Sequence, residues 1–153
     1  MASFIGMKQL LAILMIVFAL PCFSQKKYEI YYQSETDENI QLTVIVYDVK
    51  EKQADSYASL YAIQSLIFDG IKGSKRRYLP YVQDEKQSFE EHSAYYHNLF
   101  DNGGFWSFII ASAIVEKGKT EKKEKYYVVN LNVNHKALKD SLSNHNVIRR
   151  FGV

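Results

Sequence analysis

The run "IQLTVIVYDV", Ile40 to Val49, is apolar at nearly every position and rich in β-branched side chains. Such side chains are stiff at χ1 and pack well on a pleated surface, so the segment predicts a strand that is either buried on both faces or central in its sheet. Directly after it the period changes. Between Gln53 and Phe68, Ala54, Ala58, Ala62 and Leu66 recur at every fourth position, with Tyr61 and Ser65 alongside. That spacing predicts a helix with one stripe of small residues, able to approach a sheet closely. Asp69 and Gly70 stop it, glycine being suited to a left-handed cap. A buried strand followed at once by a helix shaped to lie on a sheet restricts the chain to a layered fold.

The remaining segments fill in the layers. "KYEIYYQ" reads as an edge strand or an arm, and "SETDEN" as a turn. A second helix is predicted from Asp84 to Phe100, with Asp84 and Gln87 in a capping-box pattern, ended by "DNGG". "SFIIASAIVE" and "YYVVNLNVN" read as two antiparallel strands joined by the charged loop "KGKTEKKEK". Asn134 is placed to cap a short helix over Lys136 to Leu142. The expectation is a single α+β domain over residues 25–153. It is a two-layer sandwich, with an antiparallel sheet of three to four strands and two or three helices mainly on one face.

Residues 1–24 have the layout of a signal peptide: one cation at Lys8, an apolar run from Leu10 to Leu20, then Pro21 and small or polar residues. The run is about half the ~20 residues a membrane-spanning helix needs. Cys22, the single cysteine, raises lipidation as an alternative. Pro21 beside it hinders the extended pose in which a peptidase holds its substrate, so cleavage after Ser24 is the better fit. Cys22 is then discarded, and the mature chain has no thiol for a disulfide, a nucleophile or a metal. The expected location is periplasmic or extracellular, with contact to a membrane only if Cys22 is lipidated and retained as an outer-membrane lipoprotein anchor. Removing Lys8 takes one of 19 basic residues and leaves 18 against 17 acidic ones, a balance that argues against nucleic-acid binding.

"VIVYDV" followed by "ADSYASLYAIQSLI" resembles the small α+β domain of envelope and flagellum-accessory lipoproteins of Gram-negative bacteria. The stretch "SLIFDGIKGS…YLPYV", the phrase "HNLFDNGGFWSFI" and the ending "IRRFGV" resemble uncharacterised secreted proteins of Bacteroidota type. The likeness implies an exported location and a non-enzymatic accessory role, and it assigns no substrate and no residue role.

Local chemistry signals are sparse. His92 and His97 stand at i and i+5 on the predicted helix, about 140° apart around its axis, so with Glu90 and Glu91 they do not face one metal. His97 and Asp101 form an i, i+4 pair that reads as a local link. No serine sits in a G-x-S-x-G elbow. No catalytic residue, metal or cofactor is therefore assigned. In "DGIKGSKRR" the cations Lys75, Arg76 and Arg77, with Lys72, are candidates for contact with an anion. The segment follows a helix and leads to Pro80, unlike a true phosphate loop, and a solvated loop is the competing reading.

Tyrosine is the outstanding component, 12 residues, several in adjacent pairs. Its broad apolar ring and polar tip serve interfaces and sugar stacking alike. In an adjacent pair on a strand one ring points to each face, so one of Tyr126 and Tyr127 leaves the core. Tyr31, Tyr78, Tyr81 and Tyr126 are the candidate binding residues. Trp106, beside Gly103 and Gly104, is a further one, with burial as its competing fate. The expected function is an exported interaction domain that binds an envelope protein or a polymer through an aromatic surface. A small secreted hydrolase of glycans or peptides is the alternative, and a cleft holding two carboxylates or a histidine with an acid would be its mark.

Overall fold

The computed structural model describes residues 27–149. Cys22, the cleavage point after Ser24 and the last residues of "IRRFGV" lie outside them. Four strands, β1 (Tyr28–Glu35), β2 (Ile40–Tyr47), β3 (Ile109–Lys119) and β4 (Lys125–Val133), form one antiparallel sheet in the order β1-β2-β4-β3. Helix α1 (Glu51–Phe68) lies against it. After α1 come α2 (Glu85–Glu91), α3 (Ser93–Tyr96), a π turn (His97–Asp101) and a 3₁₀ turn (Gly104–Phe108), and α4 (His135–Asn144) follows β4. Helices and turns cover one face of the sheet, giving the two-layer α+β sandwich that the element order predicts.

β2 and β4 are the two central strands, and both alternate strictly. Ile40, Leu42, Val44 and Val46 of β2 and Tyr127, Val129, Leu131 and Val133 of β4 point into the core. Of the two options for the Ile40–Val49 run, the central position is therefore the one realised, with only one face of β2 buried. Ala54, Ala58 and Ala62 are fully buried along α1, together with Ile63, Leu66 and Ile67. With only a methyl group at each stripe position, α1 packs close enough to touch all four strands. Burial of these aliphatic side chains, at roughly 25 cal/mol per Å² of apolar surface, supplies the main driving force.

α1 stops where Gly70 takes φ +74. A side chain there would be strained and would overlap the Tyr78 carbonyl oxygen, because the chain returns tightly past this point. The predicted second helix is interrupted. Asp84 caps α2 as expected, its Oδ1 accepting from the Gln87 amide at 3.0 Å. The Gln87 side chain turns to Glu91 instead of back to the cap. At His92 the backbone leaves helical geometry (φ −128, ψ 33). That break and the π turn rotate Tyr96 into a ring cluster with Phe68, Phe89 and Phe100, where its hydroxyl meets that of Ser88 at 2.6 Å. Asn134 caps α4 as predicted, accepting from the Ala137 amide at 2.8 Å.

Candidate binding face

Among the described residues every helix lies on one side, and none of them covers the other side of the sheet, a common condition of antiparallel sheets. The alternation that sends β2 and β4 aliphatics inward sends Gln41, Thr43, Ile45, Tyr47, Tyr126, Val128, Asn130 and Asn132 outward. Cross-strand register arranges this face in rows. One row runs Tyr31, Thr43, Asn130, Ala113, and the next Ser34, Gln41, Asn132, Ala111. The β3 positions are alanines, so the surface dips between the taller side chains into a cleft of about 440 Å³.

The polar groups of the cleft are aligned. A bulge after Tyr32 inserts Gln33 as an extra residue in β1. Its Nε2 donates to Thr43 Oγ1 at 3.1 Å, and Thr43 Oγ1 donates to Asn130 Oδ1 at 2.8 Å. Beside this relay Ser34 Oγ donates to Gln41 Oε1 at 3.1 Å. Asn132 Oδ1 is out of solvent contact and has no hydrogen-bond partner.

The candidate residues separate into distinct places. Tyr31 and Tyr126 are on the open face. Tyr31 is 49% exposed, and its hydroxyl donates to Glu29 Oε2 at 2.6 Å. That bond, with the negative charge of Glu29, raises its pKa above the ordinary 10. Tyr126 lies over Gly118, where a Cβ would collide with its ring, and its hydroxyl donates to Glu116 at 3.1 Å. Tyr127 is buried, so the pair divides between the faces as adjacency requires. Trp106 is exposed and Phe105 buried, so the core at the 3₁₀ turn takes the phenylalanine and burial of the tryptophan is not realised. Tyr78 is exposed in the segment after α1. Tyr81 is half-buried there, with its hydroxyl donating to the His135 carbonyl, and desolvation pushes its pKa up to about 12.

The cationic segment folds around an anion belonging to the chain itself. Glu35 accepts from Ser74 Oγ at 2.8 Å and from the amides of Lys75 and Arg76 at 3.0 and 3.1 Å. Burial works against its charge, but these three bonds and the Arg76 cation together hold its pKa below the usual value. Arg76 also pairs with Asp37. Arg77 stacks over Tyr81, and its Nε donates to His135 Nδ1 at 3.1 Å. Because that nitrogen accepts, His135 Nε2 carries the proton and donates to the Thr36 carbonyl at 3.0 Å. Sequence reasoning missed Glu35 and His135. They are 100 positions apart and neither belongs to a local pattern.

His97 Nδ1 and Asp101 Oδ2 are 2.7 Å apart and both side chains are well exposed, which is the local link the spacing predicts. Among the described residues, no three histidine, cysteine, aspartate or glutamate side chains are grouped to hold a metal ion, and no helix is long and apolar enough to cross a membrane. No family model, no curated protein and no solved structure matches the chain.

Proposed function

We propose that this protein is an exported interaction domain that binds an envelope protein or polymer through the open face of its sheet. The observation that carries the reading is a sheet face that no element of the described residues covers, where the exposed Tyr31 shares a cross-strand row with Thr43 and Asn130 of a polar cleft. Large rigid rings beside well-positioned amides are the usual makings of a recognition surface. The leader-like arrangement around Lys8, Leu10–Leu20 and Ser24 supports export. The cleft on the open face contains neither a carboxylate nor an imidazole. The hydrolase alternative keeps one observation in its favour, a separate cleft of about 320 Å³ beside α2 lined by Asp84, Glu91 and His92, with His92 Nε2 3.9 Å from Glu91 Oε2.

The test is photocrosslinking in a Gram-negative host expressing the full chain, with a benzophenone amino acid placed at Tyr31, at Val115, the exposed bulge residue of β3, or, on the helix side, at Lys86. The expected result is adducts from the first two positions, in periplasmic or surface fractions, and none from the third. Adducts confined to Lys86, or a product retained in the cytoplasm, would overturn the reading.

A further inference from the structure

We infer that the cleft on the open face is a subsite for an uncharged glycan, an inference that rests on the reading of that face as the binding surface. The chemistry of the lining selects the ligand. Although 24% of the chain is charged, none of the residues lining the cleft is ionisable. Its side chains present amides and a hydroxyl from Gln33, Gln41, Thr43, Asn130 and Asn132, together with the methyl groups of Ala111 and Ala113. A phosphate, a nucleic acid or an acidic polymer would find no cation there, and an aliphatic ligand would strand the amides without partners. A polyhydroxylated neutral molecule offers a donor and an acceptor at each hydroxyl, which matches a surface of this kind.

The direction of the hydrogen bonds makes the match specific. Since Gln33 donates to Thr43 and Thr43 donates to Asn130, Gln33 keeps its Oε1 as an acceptor and Asn130 keeps its Nδ2 donors. Gln41 uses its Oε1 on Ser34 and keeps its Nε2 donors. The cleft thus presents one free acceptor, on Gln33, and two sets of free donors, on Gln41 and Asn130, at positions fixed by the strand register. Asn132 Oδ1 is shielded from water and unpaired, so it meets a ligand hydroxyl only when its side chain turns toward the cleft. At the end of the Thr43–Asn130 row stands the Tyr31 ring, tied through its hydroxyl to Glu29 and offering an apolar face for a pyranose ring. The volume of about 440 Å³ falls in the roughly 300–1,000 Å³ range of small-ligand sites. The wall formed by Gln33 and Ser34 is held from behind, because the next residue, Glu35, is fixed by Ser74, Lys75 and Arg76. A site ordered in advance loses less entropy on binding.

The experiment titrates the protein, purified after expression of the full chain, with cellohexaose, maltohexaose, xylohexaose and chitohexaose. Calorimetry is combined with nuclear magnetic resonance of the side-chain amides. One of these neutral probes is expected to shift the amide resonances of Gln41 and Asn130, with an affinity unchanged between about 0.05 and 0.5 M NaCl. Ala113→Phe fills the cleft from an exposed position. It is expected to weaken binding by at least about tenfold while leaving the unfolding midpoint in place, and Tyr31→Ala is expected to weaken it without touching the cleft. The inference is overturned if no probe moves those resonances, if Ala113→Phe binds as well as the parent, or if they shift with protein concentration alone, which would indicate a second copy. Crosslinks to a protein from Tyr31 or Val115 in the absence of sugar binding would leave the proposed function standing while this inference fails. Loss of both would remove the two together.

Discussion

At the scale of single residues, Glu35 is the side chain on which most depends. Its carboxylate takes the place of an external anion in the 74–76 segment, so Glu35→Ala removes the acceptor of the Ser74 hydroxyl, which keeps only the bond it accepts from the Arg77 amide, and the acceptor of two backbone amides. The expected cost is about 1–3 kcal/mol, read from urea midpoints near neutral pH. The vacated amides then offer an anion site. Millimolar phosphate is expected to raise the melting temperature of Glu35→Ala and to leave the parent unmoved, and equal responses would contradict the assignment. His135 adds a dependence on pH. Burial lowers its pKa from 6.5, with the Arg77 and Arg76 cations acting in the same direction against the Thr36 bond and the Glu35 charge. The unfolded chain therefore takes up the proton first. The stability contribution is full above pH 6.5 and is lost as pH falls from there toward the folded pKa. Glu35, its folded pKa held below 4.5, adds a second loss in the same direction at lower pH. His135→Gln keeps a donor for Thr36 and an acceptor for Arg77, and urea midpoints measured against pH are expected to show only the lower of the two losses.

At the scale of elements, packing tolerance is narrowest along the alanine stripe. Ala62 is fully buried, and Ala62→Leu would push α1 away from the sheet at a cost of about 1–3 kcal/mol in chemical denaturation, whereas substitution of the exposed Lys52 is expected to be neutral. This element was legible in the sequence because its signal is local: a four-residue period and a glycine stop. The same holds for the Asp84 and Asn134 caps, each set by a side chain and an amide three residues on. The break at His92 was not legible. The segment around it has good helical periodicity, and the interruption serves a demand from elsewhere, that Tyr96 reach Phe68, Phe89 and Phe100. The candidate site was legible only in part. Alternation foretold that one of Tyr126 and Tyr127 faces outward, but Gln33, Thr43 and Asn130 become neighbours through strand pairing, which leaves no mark on any one segment.

At the scale of the whole molecule, the order β1-β2-β4-β3 is decisive, because it places the last strand in the middle. β2 finds its second partner strand in residues 125–133, and the Thr36 carbonyl and Arg77 Nε meet the two ring nitrogens of His135. A chain ending at Lys119 lacks β4 and α4, and its denaturant titration, followed by far-ultraviolet circular dichroism, is expected to show no cooperative transition. This arrangement also fixes when folding takes place. The hairpins β1–β2 and β3–β4 close locally, but the contacts that join the first third of the described chain to the last wait for loop closure across its length, so the sheet is completed late. A polypeptide emerging from the ribosome holds no completed sheet until nearly all of it has been made. Were the chain threaded unfolded through a channel, that delay would keep it threadable until its final strand was across.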